Sequence, residues 1–438
     1  MLVGTAQIDI TPEVGVELSG FARRIQPSTG ILDRLYAKAL YLEQDGERLL
    51  WLHADLLAVE RDFVRDFREW ARQSRGLEPR QVMISATHTH SGPATIHLQE
   101  AGAYDAKYVS FLRSRMEQAA AAAMEAPEPC GVVIVEGRCE LAVDRRRKAT
   151  PHTDPRVGGI GFRRSRRTGA SPAGCAGCAS PPHAEYAAVI TNYAMHAVAL
   201  GPTNRMISAD MPGRTAARLS EQLPGRPVVM VTNGACGNLN PPFENVSSAR
   251  LDEWGGQVAD AVLGLFEQAA ALERPAFRTL SRIVPLPVDA LSVEQIEACA
   301  ARIVNDPASN AEWGEKFRRT VENWRRTMVE AVRSGTAGCT REAELFAVRL
   351  GDVALLGLNA EVFSQFTDHV RERTGRRLYV VGYANGDMGY IPTRAAYDEG
   401  GYEVEIAHLF YCNFRPKAGG LERLSEQASE VVREVFEE

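Results

Sequence analysis

The sequence predicts an α/β fold, with mixed β-sheet layers flanked by helices, and three observations lead there. Short apolar runs of strand length alternate with longer segments whose apolar residues recur at helical spacing. The dipeptides Asp45-Gly46 and Gly351-Asp352 each separate two such runs, as hairpin turns do. The 438 residues are 45% hydrophobic, enough for a sizeable core, and they show no internal repeat.

In order along the chain, residues 35–42 and 49–53 read as two strands around the Asp45-Gly46 turn. A helix follows over 59–74, with Val64, Phe67 and Trp70 near one face. The run 81–86 is a short strand, 106–125 a second helix and 132–136 another strand. Two strand candidates, 158–162 and 186–193, flank a segment at 165–183 rich in Gly, Ala, Ser and Pro. That segment cannot bury much and is expected to be a flexible loop inserted in a hairpin. Residues 228–232 form a buried-type strand, and 292–334 two helices carrying Trp313, Phe317 and Trp324, expected as a helical insertion. Strands at 343–350 and 353–358 surround the second turn, and an amphipathic helix begins near Leu421. The whole, 1–438, reads as one catalytic unit.

Bulk properties narrow the function classes. A formal net charge of −6 argues against nucleic acid or an anionic membrane as the main partner. The arginine-rich stretches 145–148 and 163–167 read as solvated loops. There is no signal peptide pattern and no apolar run of spanning length, so a cytoplasmic protein without stable membrane insertion is expected. The 8 cysteines are mostly scattered and read as reduced thiols. Cys175-x-x-Cys178 with His183 lacks the second Cys pair of a structural zinc site, so a plain loop is favoured there. Cys236 has no evident base beside it and reads as a small buried thiol.

Four segments carry chemistry. In Ser85-Ala86-Thr87-His88-Thr89-His90-Ser91-Gly92-Pro93, strand alternation would project His88 and His90 to one face at the end of an apolar strand. Strand ends in α/β sheets are where ligands bind, and paired imidazoles suit zinc. Met195-His196-Ala197 ends another apolar strand; alone, His196 also reads as a satisfied core histidine. Glu361 ends the strand after Leu358; alone, it also reads as a helix-start acid. Tyr390, in Gly389-Tyr390-Ile391-Pro392-Thr393, reads as a phenolate ligand or a packed aromatic.

Taken in this order, and with further matches along the chain, these segments resemble the neutral/alkaline (non-lysosomal) ceramidase family. The additional matches are Asp9-Ile10-Thr11-Pro12, Gly20-Phe21-Ala22, Asp33-Arg34-Leu35-Tyr36-Ala37-Lys38-Ala39, Asp144-Arg145-Arg146, Ser208-Ala209-Asp210-Met211-Pro212-Gly213 and Asn233-Gly234-Ala235-Cys236-Gly237-Asn238-Leu239-Asn240-Pro241. The resemblance implies the family's catalytic domain and one catalytic zinc ion (Zn2+). Its ligands here would be His88, His196, Glu361 and Tyr390. His90 would be the non-ligand histidine beside the metal and Arg145 a substrate-contacting arginine. Tyr397 and Tyr402 are both candidates for a second active-site tyrosine.

That set implies a zinc-dependent hydrolase of linear amides. A zinc with an open position lowers the pKa of bound water from 15.7 to about 7. Zinc, Arg145 and a tyrosine hydroxyl would stabilise the negative charge growing on the carbonyl oxygen. His90 would carry the water proton to the leaving nitrogen. Asp210 would orient a ligand imidazole from behind. Two departures from the family sharpen the expectation. Asn240 stands where a serine is usual, which excludes a serine nucleophile there, and Asn238 replaces an aspartate. Because the chain ends at residue 438, no C-terminal immunoglobulin-like domain is expected. The expected substrate is therefore a small soluble N-acyl amine, as in secondary metabolism. The alternatives are ceramide itself (lipid metabolism, releasing fatty acid and sphingoid base), an ester, the amide-forming direction, or a non-catalytic binder on the same fold. A homo-oligomer is compatible with all of these.

Overall fold

The computed structural model describes residues 1–146, 150–165 and 185–437, with the backbone alone over 307–313. Residues 166–183 of the loop expected at 165–183, with Cys175, Cys178 and His183, and the Trp313 side chain lie outside the described residues.

Two sheets form the frame. The larger holds β1 (Leu2–Asp9), β2 (Tyr36–Gln44), β3 (Glu47–Ala54), β4 (Val82–Ala86), β5 (Glu128–Arg138), β6 (Arg156–Arg164), β7 (Tyr186–Tyr193) and β8 (Val228–Asn233). Its order is β8-β7-β6-β5-β1-β2-β3-β4. The second sheet runs β9 (Phe277–Pro287), β10 (Thr340–Leu350), β11 (Val353–Leu358), β12 (Arg377–Val381). Both are mixed: β3/β4, β7/β8 and β11/β12 pair in parallel, and the other pairs are antiparallel. The first turn has Asp45 at φ 51° and Gly46 at φ 85°, the double left-handed step that a tight hairpin needs.

The sheets pack face to face. Leu42, Trp51, Ile160 and Ile190 from the larger meet Phe346, Val348, Leu355 and Val381 from the smaller. Alternate residues point outward onto helices. Helices α1 (Arg61–Arg75) and α2 (Ala106–Glu125) cover β1–β4, as Phe67, Leu112 and Met116 meet Leu50, Leu52 and Ile84. Helices α3 (Asp210–Gln222) and α4 (Ser248–Gln268) cover β5–β8. After α5 (Val293–Asn305) and α6 (Pro307–Ser334, broken at Gly314), α7 (Gln365–Thr374) and α8 (Gly420–Phe436) cover the smaller sheet. The result is a helix–sheet–sheet–helix sandwich. Strands buried on both faces read as near-continuous apolar runs, so β7 and β11 are legible in sequence.

The structure corrects several local expectations. Strand β4 stops at Ala86, and His88 has left-handed backbone (φ 57°), so alternation does not carry through the His-x-His run. Arg145 and Arg146 are not solvated: both are hydrogen-bonded to the buried Glu403. Arg163 and Arg164 belong to β6, and Arg163 donates to the Tyr186 hydroxyl. Among the described residues no helix is long and apolar enough to cross a membrane.

Candidate metal centre and its cavity

The site gathers where parallel strand pairs end. The C-terminal ends of β4, β7, β8, β11 and β12 release the segments carrying His88 and His90, His196, Cys236–Asn240, Glu361, and Tyr383–Tyr390. This is the sheet edge where side chains from different strands converge.

His88, His196 and Glu361 are buried, and their ligand atoms all lie within 4.8 Å of one another. His196 Nε2 is 2.9 Å and His88 Nε2 3.6 Å from Glu361 Oε2. Each histidine donates from Nδ1 to a backbone carbonyl, His88 to Leu57 at 3.0 Å and His196 to Leu239 at 3.1 Å. That bond selects the tautomer whose Nε2 lone pair faces the cluster. Tyr390 is the register partner of Glu361 in a short parallel pair, Glu361–Val362 beside Tyr390–Ile391, and its hydroxyl is 3.4 Å from His196 Nε2. Two imidazoles, a carboxylate and a phenol in a buried cluster are a donor set that fits zinc.

The electrostatics suit an ion. Burial opposes the charge on Glu361, but the His196 hydrogen bond and both imidazoles outweigh it and hold its pKa at about 2. His196 rises to about 9 against its own desolvation, with Cys236 and Glu361 beside it. Desolvation wins at His88, which falls to about 3. Metal binding would displace the proton shared at His196 and Glu361.

A cavity of about 410 Å³ opens on this cluster. Its lining includes the apolar Phe21, Leu57, Leu98 and Phe410 and the polar Arg145, Asn240, Glu244 and Glu403. His90 borders it, its ring 4.9 Å from that of His88, and among the described residues neither of its nitrogens has a hydrogen-bond partner. Burial and the adjacent imidazoles push its pKa well down, so it is neutral. Gly20, at φ 97°, makes room for it: a Cβ there would lie 2.4 Å from His90 Nδ1. Arg145 donates from Nε to Glu403 at 2.8 Å and from a terminal nitrogen to the Gly237 carbonyl at 2.9 Å, with its guanidinium carbon 5.3 Å from the Tyr390 ring centre.

Of the two later tyrosines, Tyr402 lines the cavity, 5.7 Å from the Tyr390 ring centre. Tyr397 does not; its hydroxyl donates to the Pro416 carbonyl at 2.5 Å. Asp210 does not reach an imidazole. Its carboxylate accepts backbone N–H bonds from Ala199, Leu200 and Met211, which fixes the loop after His196. Asn238 bridges Asp144, His152 and Ser364, and Asn240 accepts from Arg145.

Sequence reasoning missed three residues here. Tyr411 donates to Glu361 Oε1 at 2.7 Å, with Asp387 at 2.9 Å from the same hydroxyl. Burial and the charge of Glu361 push the Asp387 carboxyl well above the usual carboxylate range. Arg24 donates to the His90 carbonyl at 2.7 Å. Tyr383 stacks on His88. The signals available were the Tyr383–Tyr390 loop glycines and the buried-loop arginine, neither specific by itself.

Comparison with known proteins places these features in context. Residues 1–142 match the family model described as neutral/alkaline non-lysosomal ceramidase, N-terminal. The structure is similar to that of neutral ceramidase from Pseudomonas aeruginosa, at 16% identity and a TM-score of 0.72. That match covers 99% of this chain and 75% of the other. A structure described as ceramidase complexed with C2 matches with 17% identity, a TM-score of 0.72 and the same coverage. The resemblance read from the sequence thus holds for the first 142 residues and for the fold of the whole chain. The remaining quarter of the solved chain has no counterpart in the matched region.

Proposed function

We propose that this protein is a zinc-dependent hydrolase that cleaves a linear amide bond, with His88, His196, Glu361 and Tyr390 holding the ion. One observation carries the reading: three buried donor atoms from distant segments meet within 4.8 Å, each imidazole oriented by a carbonyl behind it, beside a cavity. Zinc bound there supplies a Lewis acid and brings the ionisation of water close to neutral pH. His90, neutral and without a partner among the described residues, takes a proton from the attacking water at a ring nitrogen and returns it to the departing amine. Arg145, held by Glu403 and the Gly237 carbonyl, and the hydroxyl of Tyr402 face the charge that develops on the carbonyl oxygen. Burial raises the Tyr402 phenol, so it acts as a proton-bearing donor.

The preferred substrate is a water-soluble N-acyl amine. The cavity is at the lower end of the roughly 300–1,000 Å³ range of small-molecule sites, a volume that suits one acyl chain better than two long chains. The match of residues 1–142 to the ceramidase family favours ceramide as the second reading. The deciding experiment is a panel of soluble N-acyl amines and ceramides, assayed with and without detergent alongside metal analysis. Zinc near one per chain with detergent-independent turnover of a soluble amide supports the first reading. Turnover of ceramide alone supports the second. A metal-free chain inactive on the whole panel contradicts both and leaves a binding protein.

A further inference from the structure

We propose that Tyr383 is a positioning residue of the metal centre, clamping the two imidazoles from the wall away from the cavity. The inference rests on the metal-site reading above but not on any substrate. Tyr383 is buried and is not among the cavity-lining residues, so it does not meet a ligand there. Its ring lies on the His88 ring with centres 3.6 Å apart and planes 8° from parallel. Its hydroxyl stands 3.4 Å from His196 Nε2 and 3.4 Å from Cys236 Sγ. One side chain therefore touches both histidines of the cluster.

The backbone shows what this arrangement demands. Tyr383 has φ 56° and His88 has φ 57°, so both partners of the stack adopt the left-handed conformation that bulky residues avoid. Such strain persists only where surrounding contacts over-determine it. They do here. Gly382 N–H bonds the Asn233 carbonyl at the end of β8, and Ala384 N–H bonds the Leu358 carbonyl at the end of β11. Asn385 exchanges bonds with Ile84 on β4, through its backbone N–H and its side-chain oxygen. The turn is fastened to three of the strands whose ends frame the site, two of which deliver His88 and Glu361. His88 Nδ1 is already tied to Leu57, so the Tyr383 stack fixes the remaining freedom, the plane of the ring. The thiol of Cys236 holds the hydroxyl in place, which gives that buried cysteine a role without nucleophilic chemistry.

A plain core aromatic would pack equally well as phenylalanine or leucine and leave the metal untouched. The test separates these cases. Zinc affinity is measured by chelator competition, and the visible spectrum is recorded for the cobalt-substituted protein, in the parent, Tyr383→Phe, Tyr383→Leu and Cys236→Ala. Removing partners that orient metal ligands typically costs about 10–100-fold in affinity. Tyr383→Leu is expected to fall in that range, and Tyr383→Phe to recover most of the loss because it keeps the stack. Tyr383→Phe and Cys236→Ala should still perturb the cobalt spectrum. Should Tyr383→Leu fail to fold, the spectra of the other two variants decide. A parent-like spectrum and affinity in the variants overturns this inference alone. A parent that binds no zinc overturns it together with the metal-site reading.

Discussion

Two groups of buried histidines sit a few strands apart, and they differ in what their nitrogens are left to do. His53, on β3, is 0% exposed, with Nδ1 2.8 Å from the Ser85 hydroxyl and Nε2 3.0 Å from the Val231 carbonyl. His88 and His196 are as buried, at 2% and 1%, but each gives only Nδ1 to the backbone and turns Nε2 toward Glu361. Among the described residues His90 has no partner at either nitrogen. Burial alone does not mark a functional histidine, and neither does an unpartnered ring nitrogen, which His369 and His408 also have; what sets His88, His90 and His196 apart is that their rings meet beside one cavity and one carboxylate. The backbone agrees. His53 lies in regular strand, while His88 is held in the left-handed region.

The largest contrast should come from His88→Ala. We expect bound zinc to fall to background and hydrolysis to drop by several orders of magnitude, read by metal analysis and kcat/KM. His90→Ala should keep its zinc and lose about 10²–10⁴-fold in rate, the usual worth of a general acid–base. Loss of metal in that variant would make His90 a ligand and redraw the site. His53→Ala should do the reverse. It should cost about 2–4 kcal/mol of stability, from the cavity and the unpaired Ser85 and Val231 groups, with zinc content and kcat unchanged.

The His53 group also predicts a pH dependence. Desolvation, helped by the nearby Lys38 charge, lowers its pKa to about 3, so the folded state requires the neutral ring. Its contribution to stability is complete above the ordinary value of about 6.5 and is lost as pH falls toward 3, at about 1.4 kcal/mol per pH unit. Urea unfolding of His53→Gln between pH 7 and pH 5 should show a flatter slope than the parent. The smallest expected effect separates the two tyrosines. Tyr397→Phe should cost about 1 kcal/mol through the lost bond to Pro416 and leave kcat/KM alone, whereas Tyr402→Phe should lower kcat. Equal kinetic losses in both would erase the distinction drawn from the cavity.

The same contrast explains what could be read from the sequence. The layered α/β frame was legible because β7, β10 and β11 are dense apolar runs and two turns carry their own signals. Strand β9 was not, since its Arg278, Ser281 and Arg282 interrupt the apolar pattern and Pro285 argues against a strand. Helices α3, α4 and α7 likewise escaped notice. In the site, the motifs of His88, His196, Glu361 and Tyr390 stand out singly in the sequence, but only the resemblance to the ceramidase family joins them into one ligand set. Tyr383, Tyr411 and Arg24 do not stand out, because their roles exist only after β4, β8 and β11 have been brought side by side. Tyr397 and Tyr402 were indistinguishable in sequence. Only the turn at Gly400 and Gly401 sets one toward the cavity and the other toward Pro416. The reading of Arg145 and Arg146 as solvated failed for a related reason: their partners, Glu399 and Glu403, lie more than 250 residues away.

The most direct test of the central claim is a crystal structure of the zinc-loaded protein, with anomalous diffraction locating the ion. The account predicts a single strong peak among His88, His196 and Glu361, with both Nε2 atoms at about 2.0–2.1 Å and His90 outside coordination. A peak elsewhere, or one bound by His90 in place of Glu361, would contradict it.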